Sequence, residues 1–204
     1  MIQPVRLDPA QRARAVETLV QAFRADPMYA YICPDGADRV RSMRGLWDAL
    51  IRFTLIYGEA WTTPEVSGVA CWLAPGNTTV GFRQMLRTGF ALARAMMRFA
   101  GSARRRAMGV IGYTDELHRH AMPGRHWYLW ALGVAPASQG QGVGGRLLQP
   151  VLARADAAGL PCYLETETER NVAFYRKHGF DLLTAERAPG QDLMLWTMAR
   201  QPRP

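Results

Sequence analysis

The segment Gln139-Gly140-Gln141-Gly142-Val143-Gly144-Gly145 joins an apolar, strand-like run ending at Val134 to a helical pattern that begins around Arg146. A glycine loop set on a helix start leaves several backbone N–H groups without intrahelical acceptors. It aims them at one point, where the helix dipole adds partial positive charge. Three glycines in the five residues 140–144 let a ligand approach the backbone with no Cβ in its way. The chemistry such a loop supports is capture of a phosphate or pyrophosphate. Groups that could react with what is captured lie downstream. Glu165 ends the next strand-like run, and Asn171 and Tyr175 stand one turn apart on one face of the helix that follows.

A P-loop would need Gly-Lys-Ser/Thr after the glycines, and neither the phosphate lysine nor the Mg²⁺ hydroxyl is there. A dinucleotide site is a second reading. Gly140, Gly142 and Gly145 match G-x-G-x-x-G, and Glu165 lies about 20 residues on. In that pattern the strand feeds the first glycine almost directly, whereas here Ala-Pro-Ala-Ser-Gln intervenes, and too little chain follows Glu165 to complete a doubly wound sheet.

The third reading accounts for more residues. Val134, Pro136, Gln139, Gly140, Gly142 and Gly144 resemble the acetyl-CoA-binding loop of the GNAT N-acetyltransferases, whose core pattern Gln/Arg-x-x-Gly-x-Gly/Ala falls on Gln139, Gly142 and Gly144. A second motif of that family follows in order: Tyr163-Leu164-Glu165-Thr166, then Asn171 through Phe180. The resemblance covers residues 126–182, and its wording is similar to the puromycin N-acetyltransferase-like branch. It implies a GNAT fold, an α/β arrangement with a mostly antiparallel twisted sheet, one splayed parallel strand pair and helices on both faces. It also implies acetyl-CoA as donor and the primary amine of a small molecule as acceptor. Leu132, Gly133 and Val134 would pair with the pantetheine amides and supply an oxyanion donor. Gln139, Gly140, Gln141, Gly142, Val143, Gly144 and Gly145 would hold the pyrophosphate, and Asn171, Phe174 and Tyr175 would line the pantetheine arm.

Acyl transfer to an amine needs a neutral acceptor, a donor for the developing oxyanion and a proton for the leaving thiolate. The resemblance assigns the proton to Tyr175; the plain alternative is a core aromatic beside Phe174. Asn171 is either the N-cap of its helix or a hydrogen-bond partner of pantetheine. Glu165 is the candidate base, because strand alternation puts it with Tyr163 on one face and Cys162, Leu164 and Thr166 on the other. A solvated edge carboxylate is the alternative. Tyr128 stands where some family members carry a base glutamate, and a tyrosine cannot serve so at neutral pH. His118, His120, His126 or a water chain are rival bases. No carboxylate spacing supports joining those histidines in a metal site. A non-catalytic acyl-CoA sensor and a nucleotide-dependent oxidoreductase are the competing functions.

The elements that must position these groups follow from periodicity and punctuation. Val5–Leu7 reads as a strand, Asp8 as the cap of a helix reaching Phe23, and Asp26-Pro27 as a break. A helix is expected from Asp38 to Tyr57, then strands at Glu59–Thr63 and Ser67–Leu73 about a Pro64 turn. Residues 80–120 read as helical. Phe82, Met85, Leu86, Phe90 and Met97 there could face a membrane surface, but core packing or an acceptor pocket is the expected use. Strands at His126–Val134 and Pro161–Thr166 flank a crossover helix over Gly140–Ala158, with a kink expected at Pro150. A helix over Arg170–His178 and strands near Phe180–Arg187 and Asp192–Met198 close the chain.

The 204 residues suffice for one domain with a real core, with an acceptor-side region at about 26–125 and a cofactor core at about 126–182. No apolar run of about 20 residues is present, and Met1-Ile2-Gln3-Pro4 lacks a signal pattern. Cys33, Cys71 and Cys162 are too few and too scattered for a disulfide framework, so reduced cytoplasmic thiols are expected. The net charge of +8 is spread over many arginines, which suits attraction of a polyanionic cofactor better than nucleic-acid binding. Neither a nucleic acid nor a membrane is expected as partner, and a homodimer is compatible with the sequence. Tyr29, Tyr31, Trp47, Phe82, Met85, Phe90 and Trp127 are expected to line an acceptor pocket for a partly apolar amine. No carboxylate cluster for a polycation is evident.

Overall fold

The structure, a computed structural model, describes residues 3–190 and 192–203; Met1 and Ile2 of the opening segment lie outside them. A seven-stranded sheet forms the centre. Its strands are β1 (Val5–Arg6), β2 (Gly58–Thr62), β3 (Gly68–Leu73), β4 (Trp127–Val134), β5 (Cys162–Thr166), β6 (Asp181–Arg187) and β7 (Met194–Arg200), in the order β1-β2-β3-β4-β5-β7-β6. Every neighbouring pair is antiparallel except β4 and β5.

That parallel pair is short. Trp127 faces Cys162 and Tyr128 faces Tyr163, and the pairing ends there. Beyond it β4 stays in register with β3 as far as Val134, while β5 stays with β7 as far as Thr166. The strands therefore splay apart, as expected. A bulge at Trp130 helps: Cys71 pairs with Ala131 and Trp72 with Leu129, leaving Trp130 as the extra residue that bends β4.

Helices α1 (Arg12–Ala22) and α3 (Gly36–Tyr57) cover one face of the sheet, with Leu19, Trp47 and Ile51 packed on Val69, Cys71 and Ala131. Helices α7 (Val143–Ala157) and α8 (Glu169–Lys177) cover the other, with Leu147, Val151, Val172 and Tyr175 packed near Ala70, Trp72 and Leu129. Strand β3 is buried along its whole length because it receives both layers. The break read at Asp26-Pro27 is also a start. Asp26 accepts from the N–H groups of Met28 (3.0 Å) and Tyr29 (3.3 Å), with Pro27 at the first helical position, and so begins α2 (Pro27–Ile32). Asp8 likewise caps a single 3₁₀ turn ahead of α1. The 80–120 region divides into α4 (Phe82–Arg87), α5 (Ala91–Met97) and α6 (Gly101–Ala121).

Helix α7 carries the glycine loop, and it runs through Pro150 as one element. The proline removes one backbone donor, at about 3 kcal/mol in a helix interior. Leu147, Leu148, Val151 and Leu152 are buried on its inner face, at roughly 1.5–3 kcal/mol each, which outweighs that cost. Asp156 near its end accepts both guanidinium branches of Arg200 on β7 (2.6 and 2.7 Å), and Arg154 pairs with Glu59 on β2. These ties hold α7 across the splay.

Gly133 on β4 lies hard against α1. A Cβ there would stand 2.7 Å from Leu19 Cδ2, 2.9 Å from Phe23 Cε2 and 3.0 Å from Ala22 Cβ. Gly133→Ala should therefore lower unfolding stability by about 1–3 kcal/mol through displacement of α1, read as a shift in the denaturation midpoint. A stability equal to wild type would show that α1 is free to move.

Candidate active site

The glycine loop is built for an anion. Gly140 and Gly142 have φ of +76° and +77°, a region that other residues enter only with strain, and nothing lies within 4 Å of where their side chains would begin. The inner side of the loop is thus open. Gly142 caps α7 without a side chain, and the first hydrogen bond runs from the Arg146 N–H to the Gly142 carbonyl (3.2 Å). The N–H groups of Val143, Gly144 and Gly145 consequently have no acceptor in the helix. These residues fit a pyrophosphate. Gly144 and Gly145 have a second reason to be glycine. A Cβ on Gly144 would press on Phe174 (3.3 Å) and one on Gly145 would enter the His178 ring (2.7 Å), so both admit α8 against α7. The Val143 side chain is buried in the core, and Gln141 turns back to the Ala137 carbonyl (3.0 Å).

The edge of β4 supplies the next part. The Ala135 N–H donates to the Ser67 carbonyl (2.9 Å), and Val134 faces Gly68. Along an antiparallel strand successive N–H groups point to opposite sides. The N–H groups of Leu132 and Val134 therefore point away from β3, into the splay, while that of Gly133 points to β3. Gln139 donates from Nε2 to the Val134 carbonyl (3.0 Å), anchoring the start of the loop on this edge. Two outward N–H groups remain for a ligand that binds as an added strand.

Glu165 sits on β5 where the strands part. Its Oε2 accepts from the Tyr128 hydroxyl (2.7 Å), which bridges β4 and β5 at their last paired residues, and its buried Oε1 has no partner. Burial raises its carboxyl to about 7, against the pull of the tyrosine hydroxyls, and the negative charge of Asp115 on α6 adds to the rise. It is a half-buried carboxyl with one fully buried oxygen rather than a solvated edge residue. Behind it, Tyr128 and Tyr163 lie ring to ring (5.6 Å), and His118 stacks on Tyr163 (4.9 Å, 14°). His118 and His126 share a 2.7 Å Nε2–Nε2 hydrogen bond. The His126 Nδ1 lies 2.7 Å from the Gly124 carbonyl, so it carries a proton and donates there. His118 is then the donor between the rings, and both are neutral. Burial lowers His118 to about 4, which makes it a poor base at neutral pH. His120 turns outward to the Glu116 carbonyl, so the three histidines do not converge.

Tyr175 is buried between Phe174 and Phe180, and burial with the nearby Glu167 charge raises its hydroxyl, which holds it protonated. Thr168, not Asn171, caps α8: its hydroxyl accepts from the Asn171 N–H (3.2 Å). The Asn171 amide instead donates to Thr166 Oγ1 (2.9 Å) on β5, one turn below Tyr175.

Two expectations about the acceptor side change. Trp47 and Trp127 are core residues, and Phe82 is solvent-exposed, so the anticipated aromatic lining is not assembled. Carboxylates do gather. Asp26, Glu165 and Glu167 are all raised by burial, Asp26 to about 6, with Asp26 and Glu165 each raising Glu167. Among the described residues no arginine or lysine pulls them back down. The sequence count missed this because Asp26 is remote in sequence and Glu167 lies just past the strand. The same alternation that pairs Tyr163 with Glu165 could have extended to Glu167.

Between the ordinary carboxyl value and about 7, folded Glu165 keeps a proton that the unfolded chain has lost, so this group makes folding less favourable as pH rises through that window. Glu165→Gln should thus stabilise the protein by about 1–2 kcal/mol near pH 8, with the gain fading toward about pH 5. Melting temperatures of both proteins across that range check it; a pH-independent difference would place the carboxylate in water.

Residues 56–180 match the sequence profile of the Acetyltransferase (GNAT) family. The chain is 27% identical over 181 residues to an uncharacterised N-acetyltransferase of Schizosaccharomyces pombe, covering 86% of this chain and 72% of that protein. In structure it resembles a histone acetyltransferase HPA2-related acetyltransferase of Corynebacterium glutamicum, with a TM-score of 0.74, 22% identity and coverage of 100% and 98% of the two chains. It also resembles a polyamine N-acetyltransferase of Drosophila melanogaster that forms N-acetylagmatine, with a TM-score of 0.62, 14% identity and coverage of 98% and 100%. These likenesses reach the family and do not reach the puromycin acetyltransferase-like branch.

Proposed function

Because the chain belongs to the GNAT acetyltransferase family and is an acetyltransferase, we propose that it moves an acetyl group from acetyl-CoA to the primary amine of a small molecule by direct attack. The observation that carries this reading is the Tyr128–Glu165 hydrogen bond at the mouth of the splay, which sets a base of near-neutral pKa beside an unpaired strand edge. In this reading residues 126–182 hold the donor, and residues 26–125 supply most of the acceptor side of a single domain. Buried, unbridged Cys33, Cys71 and Cys162 suit a cytoplasmic location.

The thioester supplies the activated acetyl group. The open N–H groups of Val143, Gly144 and Gly145 receive the pyrophosphate, and those of Leu132 and Val134 pair with the pantetheine amides and face the carbonyl oxygen as negative charge develops on it. Glu165 takes a proton from the acceptor ammonium, leaving a neutral amine to form the C–N bond. As the C–S bond breaks, Tyr175 gives its proton to sulfur and regains one from the new amide nitrogen. An acyl-cysteine route finds no nucleophile among the described residues, since burial raises all three thiols, Cys71 and Cys162 to about 12.

The test is thiol release from acetyl-CoA with a panel of amines. Tyr175→Phe should lower kcat by about 100-fold with little change in the KM for acetyl-CoA, as befits a lost proton donor. An unchanged kcat with chemistry rate-limiting would return Tyr175 to a packing role.

The carboxyl groups of Asp26, Glu165 and Glu167, whose charged forms burial and mutual repulsion disfavour, would ionise against an acceptor that arrives as a cation, and a second positive charge would find its partner in Glu167. A diamine or guanidinoalkylamine should therefore show a higher kcat/KM than a monoamine of equal length. Glu167→Gln should narrow that ratio by roughly tenfold, the worth of one charge-assisted contact. Preference for the apolar monoamine would restore the expectation drawn from the aromatic residues.

A further inference from the structure

From Val66 to Thr114 the chain has no aspartate or glutamate, and it has seven arginines: Arg83, Arg87, Arg94, Arg98, Arg104, Arg105 and Arg106. None of the seven belongs to an ion pair among the described residues. Arginines elsewhere do find carboxylates: Arg12 and Arg52 share Asp48, Arg44 pairs with Glu17, and Arg200 with Asp156. The same stretch exposes large apolar side chains. Six of the nine such residues described lie in it, including Phe82 (69% exposed), Leu86 (60%), Met97 (69%) and Met108 (55%). Isolated exposed apolar residues need no explanation, but a concentration of them beside unpaired cations does.

The arrangement is local and ordered. On α4, Phe82 and Leu86 stand one turn apart on the outer side, and Arg83 and Arg87 stand one turn apart beside them. On α6, Arg104, Met108 and Ile111 follow helical spacing along one face, and Met97 Sδ at the end of α5 lies 3.8 Å from an Arg104 nitrogen. Met97 therefore extends that stripe. The expectation that Phe82, Leu86 and Met97 pack in the core or line the acceptor pocket is not met, because all three face solvent.

We infer that α4–α6 form a docking surface for an anionic lipid membrane. Arginines without carboxylate partners match lipid phosphates, Arg106 alone being held in part by the Ile32 carbonyl and the Tyr31 ring, and phenylalanine, leucine and methionine at the tips match the acyl boundary beneath them. A nucleic acid would use the arginines and leave these apolar tips in water. A second copy meeting the same face would set like charges against each other. No described helix is long and apolar enough to cross a membrane, so the contact is peripheral.

Co-sedimentation of the full chain with vesicles of phosphatidylcholine alone, and of phosphatidylcholine mixed with phosphatidylglycerol, tests this. Binding should appear with the mixed vesicles, weaken as salt rises and be at least ~10-fold poorer with the neutral ones, since each basic side chain near an anionic surface multiplies affinity roughly fivefold. Phe82→Ser/Leu86→Ser and Met97→Ser/Met108→Ser should each weaken binding ~10-fold or more, with CoA affinity and melting temperature unchanged. The two pairs lie on different helices, so misfolding of one variant leaves the other informative. Absence of vesicle binding, equal binding to neutral vesicles, or wild-type binding by both variants would overturn the inference. So would equally tight binding to duplex DNA that is insensitive to the serine variants, or self-association that the variants abolish.

Discussion

Backbone polar groups inside a fold must find partners, and β4 leaves some of its own without any protein strand to meet them. Its pairing with β5 ends after Tyr128, although both strands run on, held by β3 on one side and β7 on the other. The gap is maintained by covalently remote parts. The Trp130 bulge bends β4, and α7 spans the opening, tied to β2 through Arg154–Glu59 and to β7 through Asp156–Arg200. A ligand with amide groups spaced like a strand, as the pantetheine arm of the proposed donor has, would meet these open groups of β4. The glycine loop follows from the same gap, because α7 begins where the chain leaves the open edge of β4.

The second constraint is electrostatic. Glu165 is half-buried at the mouth of the gap, with one oxygen held by Tyr128 and the other buried without a hydrogen bond. Burial that disfavours its charge would also make it a better proton acceptor near neutrality, so in the proposed mechanism a cost in stability accompanies its chemistry. The neutral His118–His126 pair and the rings of Tyr128 and Tyr163 form a wall of low polarity behind it. They maintain the environment without competing for the proton.

The two signs of charge are segregated. Asp26, Glu165 and Glu167 gather half-buried near the centre, while the seven arginines between Val66 and Thr114 form no ion pair among the described residues. The net charge of +8 thus hides a half-buried acidic cluster. A single number for the chain would suggest affinity for polyanions throughout. The arrangement instead sets open backbone donors at the loop and carboxyl groups at the centre.

The sequence by itself determined the parts whose signal is local. Glycines at 140 and 142 report backbone with positive φ, alternation over Cys162–Thr166 assigns the faces of β5, and the spacing of Asn171 and Tyr175 sets them on one helical face. These rest on periods of two and 3.6 residues, which any reader of the chain can count. What depended on meetings between distant segments was decided by tertiary structure alone. Thr168 took the capping role read for Asn171, because α8 begins at Glu169, two residues ahead of Asn171. Trp47 went to the core and Phe82 to solvent, though both read as pocket aromatics, since burial depends on which layer a helix joins. Asp26 came beside Glu167 across 141 positions of sequence, and Tyr128 beside Glu165 across 37, by strand order and helix packing that no local pattern encodes.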